Sequence, residues 1–378
     1  MQYNVRAVTP ELPDPSEWIK FLKPAIDENW YTNYGPVNTH FEKRLSALYG
    51  RMGEGVVTSS SATSGLSACL IAEAISGPVL CPAFTFQATA AAILGANCKP
   101  VIVDVDEVSG VVSAETLEYG FQKIGAKAAI VVAPYGITNN FQAHAEVCRK
   151  LGKLLIIDNA AGLGVARGQS ALSGKNEAVR EVFSLHATKP FGIGEGCAIF
   201  APYSKVPSLR AAMNFGLQSH SANGEVQRPY WGINGKMSEV HAAIGLAVAD
   251  GMAQRVASRQ EMARNWIEFL KDSPAVPFHT TIDASPWQVL PILLESQINV
   301  VKTMENAAKH KIELRRYYTP SLGTCQGMEQ LSRCPNAQNL AERVLALPVR
   351  SFMAIEEQYK IMSTVRACIA KSQNRVCK

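Results

Sequence analysis

Between about residues 55 and 201 the chain alternates short apolar, β-rich runs with longer segments rich in Ala and Leu, the pattern of parallel strands covered by helices. Strands are predicted at residues 55–58, 78–81, 100–103, 128–133, 154–157, 182–185 and 197–201. Residues 63–74, 86–94 and 141–151 read as helices, since each outruns a typical strand and is flanked by turn residues. Residues 238–271 also read as helix, with few breakers. Beyond them Pro274, Pro277 and Pro286 precede a new apolar run at 289–294 and a helix candidate at 296–310. A domain boundary is therefore expected near residue 272. Residues 1–272 would form an N-terminal arm and a large domain, and 273–378 a small C-terminal domain. The predicted fold class is α/β: a mainly parallel seven-stranded sheet flanked by helices, plus a smaller α/β domain. No internal repeat or low-complexity tract is visible, which argues against solenoids and propellers.

Composition narrows the class further. With 378 residues, 47% hydrophobic and 18% charged, the chain has ample apolar surface to bury and is not a disordered sequence. Lys plus Arg exceeds Asp plus Glu by 37 − 32 = +5, spread along the chain with no basic arm, so no nucleic-acid partner is expected. That excess suits an anionic small molecule, though solubility accounts for it equally well. The nine cysteines, from Cys69 to Cys377, include no CxxC pair or metal-spaced histidine, and are expected to be reduced thiols of a cytoplasmic protein with no metal site. The opening residues lack a signal peptide's apolar segment, and no apolar stretch nears the roughly 20 residues that span a bilayer, so neither secretion nor membrane insertion is expected.

The most informative stretch is VFSLHATKPFGIGEG (182–196), in which Lys189 follows a strand and precedes a glycine-rich turn. A lysine is ordinarily a solvated surface residue. Here its neighbours are small hydroxyls and glycines. A buried lysine amine, its pKa lowered, acts as a nucleophile toward an aldehyde cofactor. Pyridoxal phosphate needs in addition a carboxylate at its pyridine nitrogen, a flat group over the ring, and a phosphate cradle of hydroxyls and backbone amides. Asp158 ends the apolar run 154–157, at the carboxyl edge of a strand where open α/β sheets bind ligands; its structural alternative is a helix N-cap. SSSATSG (59–65) runs from a strand into a helix whose free amides and positive end suit an anion, with Thr63 and Ser184 the best hydroxyl donors; alone it is also just a capped helix start. Phe86, after PAFT (82–85), is the ring-facing candidate, with the core as its alternative.

Taken in order, WYTNYGP (30–36) with Phe41-Glu42, SATSGL (61–66), PAFTF (82–86), VIVDVD (101–106), DNAAGLG (158–164), SLHATK (184–189) with GEG (194–196), GINGKMSE (232–239) and RRYYTP (315–320) make the chain resemble the DegT/StrS family of sugar-nucleotide aminotransferases, which are fold type I pyridoxal-phosphate enzymes. The resemblance implies that Lys189 forms the Schiff base, Asp158 partners the pyridine nitrogen and Phe86 stacks on the ring. It places Ala62, Thr63 and Ser184 in the phosphate cradle. Asn234 falls on a family asparagine that reaches the phosphate in the neighbouring subunit, which implies a homodimer with shared active sites. Basic and polar substrate contacts would come from Asn33, Tyr34, His186, Arg315, Arg316 and Tyr317. Three residues depart from the family pattern: Ala161 stands where His or Gln is common, Cys197 replaces a glycine, and Lys236 replaces a commoner arginine.

The activity so implied is transfer of an amino group from glutamate to a keto group of a nucleotide-diphosphate deoxysugar, in amino-sugar biosynthesis such as that of lipopolysaccharide O-antigen. Family members that replace the lysine with histidine are dehydratases, and the retained Lys189 favours transamination. The alternatives are a sugar dehydratase or cyclitol aminotransferase on the same scaffold, or a non-catalytic cofactor-binding regulator.

Overall fold

The computed structural model describes residues 3–167, 176–217 and 231–373. β1 (Glu54–Ser59), β2 (Gly77–Pro82), β3 (Cys98–Val103), β4 (Ala128–Val132), β5 (Leu154–Asp158), β6 (Val179–Ser184) and β7 (Cys197–Pro202) are the predicted strands, with ends moved by no more than three residues. The chain adds β8 (Ala275–Pro277), β9 (Val289–Leu294), β10 (Glu329–Gln330) and β11 (Val344–Pro348).

The large sheet has the order β1-β7-β6-β5-β4-β2-β3-β10. It therefore has eight strands, against the seven expected, because Glu329 and Gln330 add to the β3 edge beside Val101 and Ile102. Two exposed polar residues carry no hydrophobic pattern, so nothing in the sequence marks them as a strand. β7 runs antiparallel to both β1 and β6; the remaining pairs are parallel, so β1 to β6 all point the same way. β4 and β5 are buried along their whole length, which is why residues 128–132 and 154–157 read as unbroken apolar runs; β6, equally buried, opens with Arg180 and Glu181, and only its end reads as apolar. β2 lies between β3 and β4, so the strand order reverses there, and the crevice beyond the carboxyl ends of β2 and β4 is the topological switch point where such sheets bind ligands.

The predicted helices form as Ala62–Ala72, Gln87–Gly95, Gln142–Leu151, Glu239–Phe269 and Val300–Lys309. Ser61, Ser238 and Asn299 cap three of them, each side chain accepting a hydrogen bond from a first-turn amide. Gly152 ends Gln142–Leu151 at φ 61°, a left-handed conformation that glycine adopts without strain.

A second sheet, β11-β9-β8, is antiparallel throughout and packs Leu290, Ile292, Leu345 and Leu347 against Trp266, Trp287 and Met362. The helix Glu239–Phe269 serves two cores: Ala242, Leu246 and Met252 pack with Phe41 and Phe183, whereas Met262 and Trp266 join the small sheet's cluster. The first described residues lie against the C-terminal part, with the Val5 amide donating to the Lys311 carbonyl and the Glu313 amide to the Val5 carbonyl. Among the described residues no helix is long and apolar enough to cross a membrane. The eight described cysteines are free, and Cys377 lies outside the described residues.

Candidate active site

A cavity of about 530 Å³ opens at the carboxyl ends of the large sheet's parallel strands. Its walls bring together Ala62 and Thr63 after β1, Phe86 after β2, Asp158 at the end of β5, Ser184 at the end of β6, His186 and Lys189 in the β6–β7 turn, and Arg315 and Tyr317 from the C-terminal part.

Asp158 is 7% exposed. Its Oδ2 accepts a hydrogen bond from Thr89 Oγ1 at 2.9 Å, and Thr89 shares a further bond of 2.7 Å with Thr85. Burial pushes the carboxyl above its ordinary range, opposed by the Thr89 hydroxyl, the Lys189 charge and the Ala160 amide. A buried carboxylate is costly without a cation or donor beside it, so the site is built for a partner such as a protonated ring nitrogen.

The Lys189 amide donates to the His186 carbonyl at 2.8 Å, fixing the turn, and Nζ donates to Gln288 Oε1 at 3.2 Å. Burial brings the Lys189 ammonium down from 10.5 to about 8, with Asp158 pulling the other way. An amine so lowered has a far larger neutral fraction near neutral pH than an exposed lysine and is a competent nucleophile.

Ser61 accepts from the Ser64 amide and caps the helix that Ala62 begins. The amides of Ala62 and Thr63 have no acceptor within the helix, so this wall offers donors and the positive end of the helix dipole to an anion. Ser184 Oγ, at the next strand but one in the sheet, accepts from the His186 amide at 3.3 Å. Phe86, in the N-cap position of Gln87–Gly95, is 58% exposed, so it is an open wall of the cavity and not the core residue that was its alternative. Acid, amine, anion cradle and open aromatic ring together fit pyridoxal phosphate.

At the cavity mouth His186 Nδ1 is bonded to Thr188 Oγ1 at 2.9 Å, and its Nε2 lies 3.6 Å from Glu195 Oε1. Arg315 donates to Glu313 Oε1 at 2.8 Å and to the Tyr317 hydroxyl at 2.9 Å. Four expected residues are not in this wall. Asn33 is exposed; the Tyr34 ring lies under the Arg210 guanidinium, 4.9 Å from its centre. Arg316 donates to the carbonyls of Ala341 at 2.7 Å and Glu342 at 3.2 Å. Asn234 is exposed, its Oδ1 accepting from Lys236 Nζ at 2.8 Å.

Several wall residues escaped the sequence reading. Thr85 lines the cavity beside Phe86, and Thr89, four residues on and behind the wall, joins it to Asp158. Tyr135 and Tyr318 stack with ring centres 5.5 Å apart, and Gln288 contacts Lys189, yet these pairs are 183 and 99 residues apart and no local pattern joins them. Ala161 lines the cavity and its side chain offers no polar atom. Cys197 is buried against the cradle helix, where a methyl on Gly65 would stand 2.7 Å from its sulfur.

The sequence profile of the DegT/DnrJ/EryC1/StrS aminotransferase family matches residues 14–366. Among individual relatives, protein Rv3402c of Mycobacterium tuberculosis is 26% identical over 95% of this chain and 89% of its own length. The dTDP-4-amino-4,6-dideoxy-D-glucose transaminase of Shigella dysenteriae is 28% identical over 97% of this chain and 99% of its own. The crystal structure of DesI in the presence of its TDP-sugar product superposes with a TM-score of 0.86 at 26% identity, covering 98% of this chain and 94% of DesI.

Proposed function

Because the chain belongs to the DegT/DnrJ/EryC1/StrS aminotransferase family and is a pyridoxal-phosphate-dependent transaminase of fold type I, we propose that it moves an amino group from glutamate to the keto group of a nucleotide-linked deoxysugar. One observation carries this reading: a single cavity pairs the buried Asp158 with a lysine amine lowered to about 8. The similarity to a transaminase named for a dTDP-sugar, and to a structure determined with a TDP-sugar product, supports the substrate class.

When bound, pyridoxal phosphate supplies an electron-withdrawing ring that disperses the negative charge left on proton loss from the carbon bearing the nitrogen. Ionised Asp158 would keep a proton on the ring nitrogen, and Thr89 holds the carboxylate in place through Oδ2. Ala62 and Thr63, through backbone amides and a hydroxyl, would bind the phosphate with Ser184, and Phe86 would cover a ring face and exclude water. Lys189 Nζ would hold the cofactor covalently and, as a free amine, would serve as the base that takes and returns the proton of the donor's α-carbon. His186, Arg315 and Tyr317 bind and orient the anionic groups of donor and sugar nucleotide. Asn33, Tyr34 and Asn234 lie outside their own chain's cavity, and we assign them to the cavity of a second copy in a homodimer.

The test is incubation of the purified, cofactor-loaded protein with glutamate and a panel of nucleotide-linked 3-keto and 4-keto sugars, with products identified by mass and NMR. An amino sugar formed only with the amino donor is expected. A nitrogen-free deoxygenated sugar would instead mark a dehydratase.

A further inference from the structure

Gln288, which immediately precedes β9, is the side chain that touches the Lys189 amine. We propose that Gln288 is a positioning residue that holds Lys189 Nζ on a fixed bearing whenever the amine is not bonded to the cofactor; the inference rests on the role assigned to Lys189 above.

Gln288 Oε1 accepts from Lys189 Nζ at 3.2 Å, while its Nε2 donates to the Thr188 carbonyl at 3.0 Å and approaches Thr188 Oγ1 at 3.4 Å. The amide has only one workable orientation. An ammonium only donates and a peptide carbonyl only accepts, so a flipped amide would set donor against donor and acceptor against acceptor. One side chain thus ties the reactive amine to the peptide carbonyl just before it in sequence.

The backbone that presents Gln288 is held from several sides. Trp287 is fully buried and has φ 52°. Its indole donates to the Ile282 carbonyl at 2.7 Å, its amide donates to Ser285 Oγ at 3.0 Å, and its carbonyl accepts from Arg259 Nη1 at 3.0 Å. Ser285 Oγ in turn donates to the Tyr135 carbonyl at 3.2 Å, across to the loop after β4. Gln288 is therefore fixed before any substrate arrives. A free lysine chain samples many rotamers, whereas proton transfer needs Nζ within hydrogen-bond reach of one carbon. The amide supplies that restraint and, as an acceptor, favours the charged amine against the effect of burial.

The test uses cofactor-free protein, acetylated with acetic anhydride from about pH 6 to about pH 10, with labelling at residue 189 read by peptide mass spectrometry against exposed lysines. Gln288→Met, of similar length but without the amide, is expected to lower the labelling midpoint of Lys189 by about half a pH unit. Gln288→Glu is expected to raise it by about one unit, a tenfold change in the ratio of ammonium to amine. In the loaded enzyme kcat of Gln288→Met should fall about tenfold with KM for glutamate within about twofold, since the restraint acts on the reacting amine and not on donor binding. Wild-type midpoints in both variants, with wild-type kcat, would overturn the proposal. If thermal melts show that the Met variant does not fold, the isosteric Glu variant decides by its midpoint alone. Labelling involves neither sugar nor amino donor, so a wrong substrate assignment leaves this result standing.

Discussion

Lys189 and Asp158 each partly undo what burial does to the other. Burial raises the carboxyl and lowers the ammonium, while the mutual attraction pulls the acid down and the amine up. In both groups burial prevails over the attraction. Borohydride reduction of the cofactor-saturated protein, followed by peptide mapping, is expected to leave the cofactor's mass on the peptide carrying Lys189. Lys189→Ala should lose both that tag and turnover; Asp158→Asn should keep the tag while turnover falls on the order of a hundredfold, because the ring nitrogen loses its charge partner. A tag recovered at another lysine would remove Lys189 from its role. These two residues were legible in the sequence because each sits at a junction: Asp158 closes an apolar run, and Lys189 separates a strand from a glycine-rich turn. Arg315 and Arg316 were not separable, since neighbours in an extended segment point to opposite sides. Arg315, bridged to Ala346, lines the cavity, and Arg316 meets the carbonyls of Ala341 and Glu342.

At the scale of elements, the ends of β1 to β6 gather the chemistry, and a buried ion cluster clamps strands across β7. Arg167 Nη1 donates to Glu54 Oε2 of β1 at 2.8 Å and its Nε to Glu181 Oε2 of β6 at 2.9 Å, with Arg51 Nη1 3.1 Å from Glu181. Asn159, next to Asp158, donates to the other Glu181 oxygen at 3.0 Å, so the cluster reaches the residue that follows Asp158. Arg167→Met would leave two buried carboxylates short of a cation, a loss of about 3–5 kcal/mol measurable by urea unfolding at neutral pH. Burial raises Glu181, but Arg167 and Arg51 outweigh it and hold its carboxyl below 4.5. A lowered native pKa stabilises above the unfolded value and is lost as pH falls through the native one, so the gap between wild type and variant should close on acidification below about 4.5. A gap unchanged in acid would mean that the arginine acts through packing on the Phe200 ring, 4.0 Å away, and not through charge. Strands β4 and β5 were readable because parallel strands covered on both faces are continuous apolar runs, whereas the charged start of β6 hid its first three residues. The ion cluster was not, because Arg167 and Glu54 are 113 residues apart and each alone looks like an ordinary surface charge.

For the whole molecule, the question is why Asn234 stands outside the cavity that its family resemblance links it to. Asn234 is exposed, as are Phe215, whose amide donates to the carbonyl of neighbouring Ile233, and Trp231, three residues earlier in the chain, and the Glu239 amide donates to the carbonyl of exposed Tyr31. Exposed large aromatic side chains favour burial against a second molecule. In a homodimer whose sites combine Lys189 of one subunit with Asn234 of the other, the two defects complement. A mixed dimer of Lys189→Ala and Asn234→Ala chains contains one site carrying both mutations and one carrying neither. Co-expression with distinguishable tags and purification of the mixed species should therefore restore about half the wild-type activity per dimer, while the Lys189→Ala homodimer is inactive and the Asn234→Ala homodimer impaired at limiting cofactor. Were Asn234 to act on its own chain's cavity, the only lysine-bearing site in the mixed dimer would still lack it, and activity would stay at half that of the Asn234→Ala homodimer.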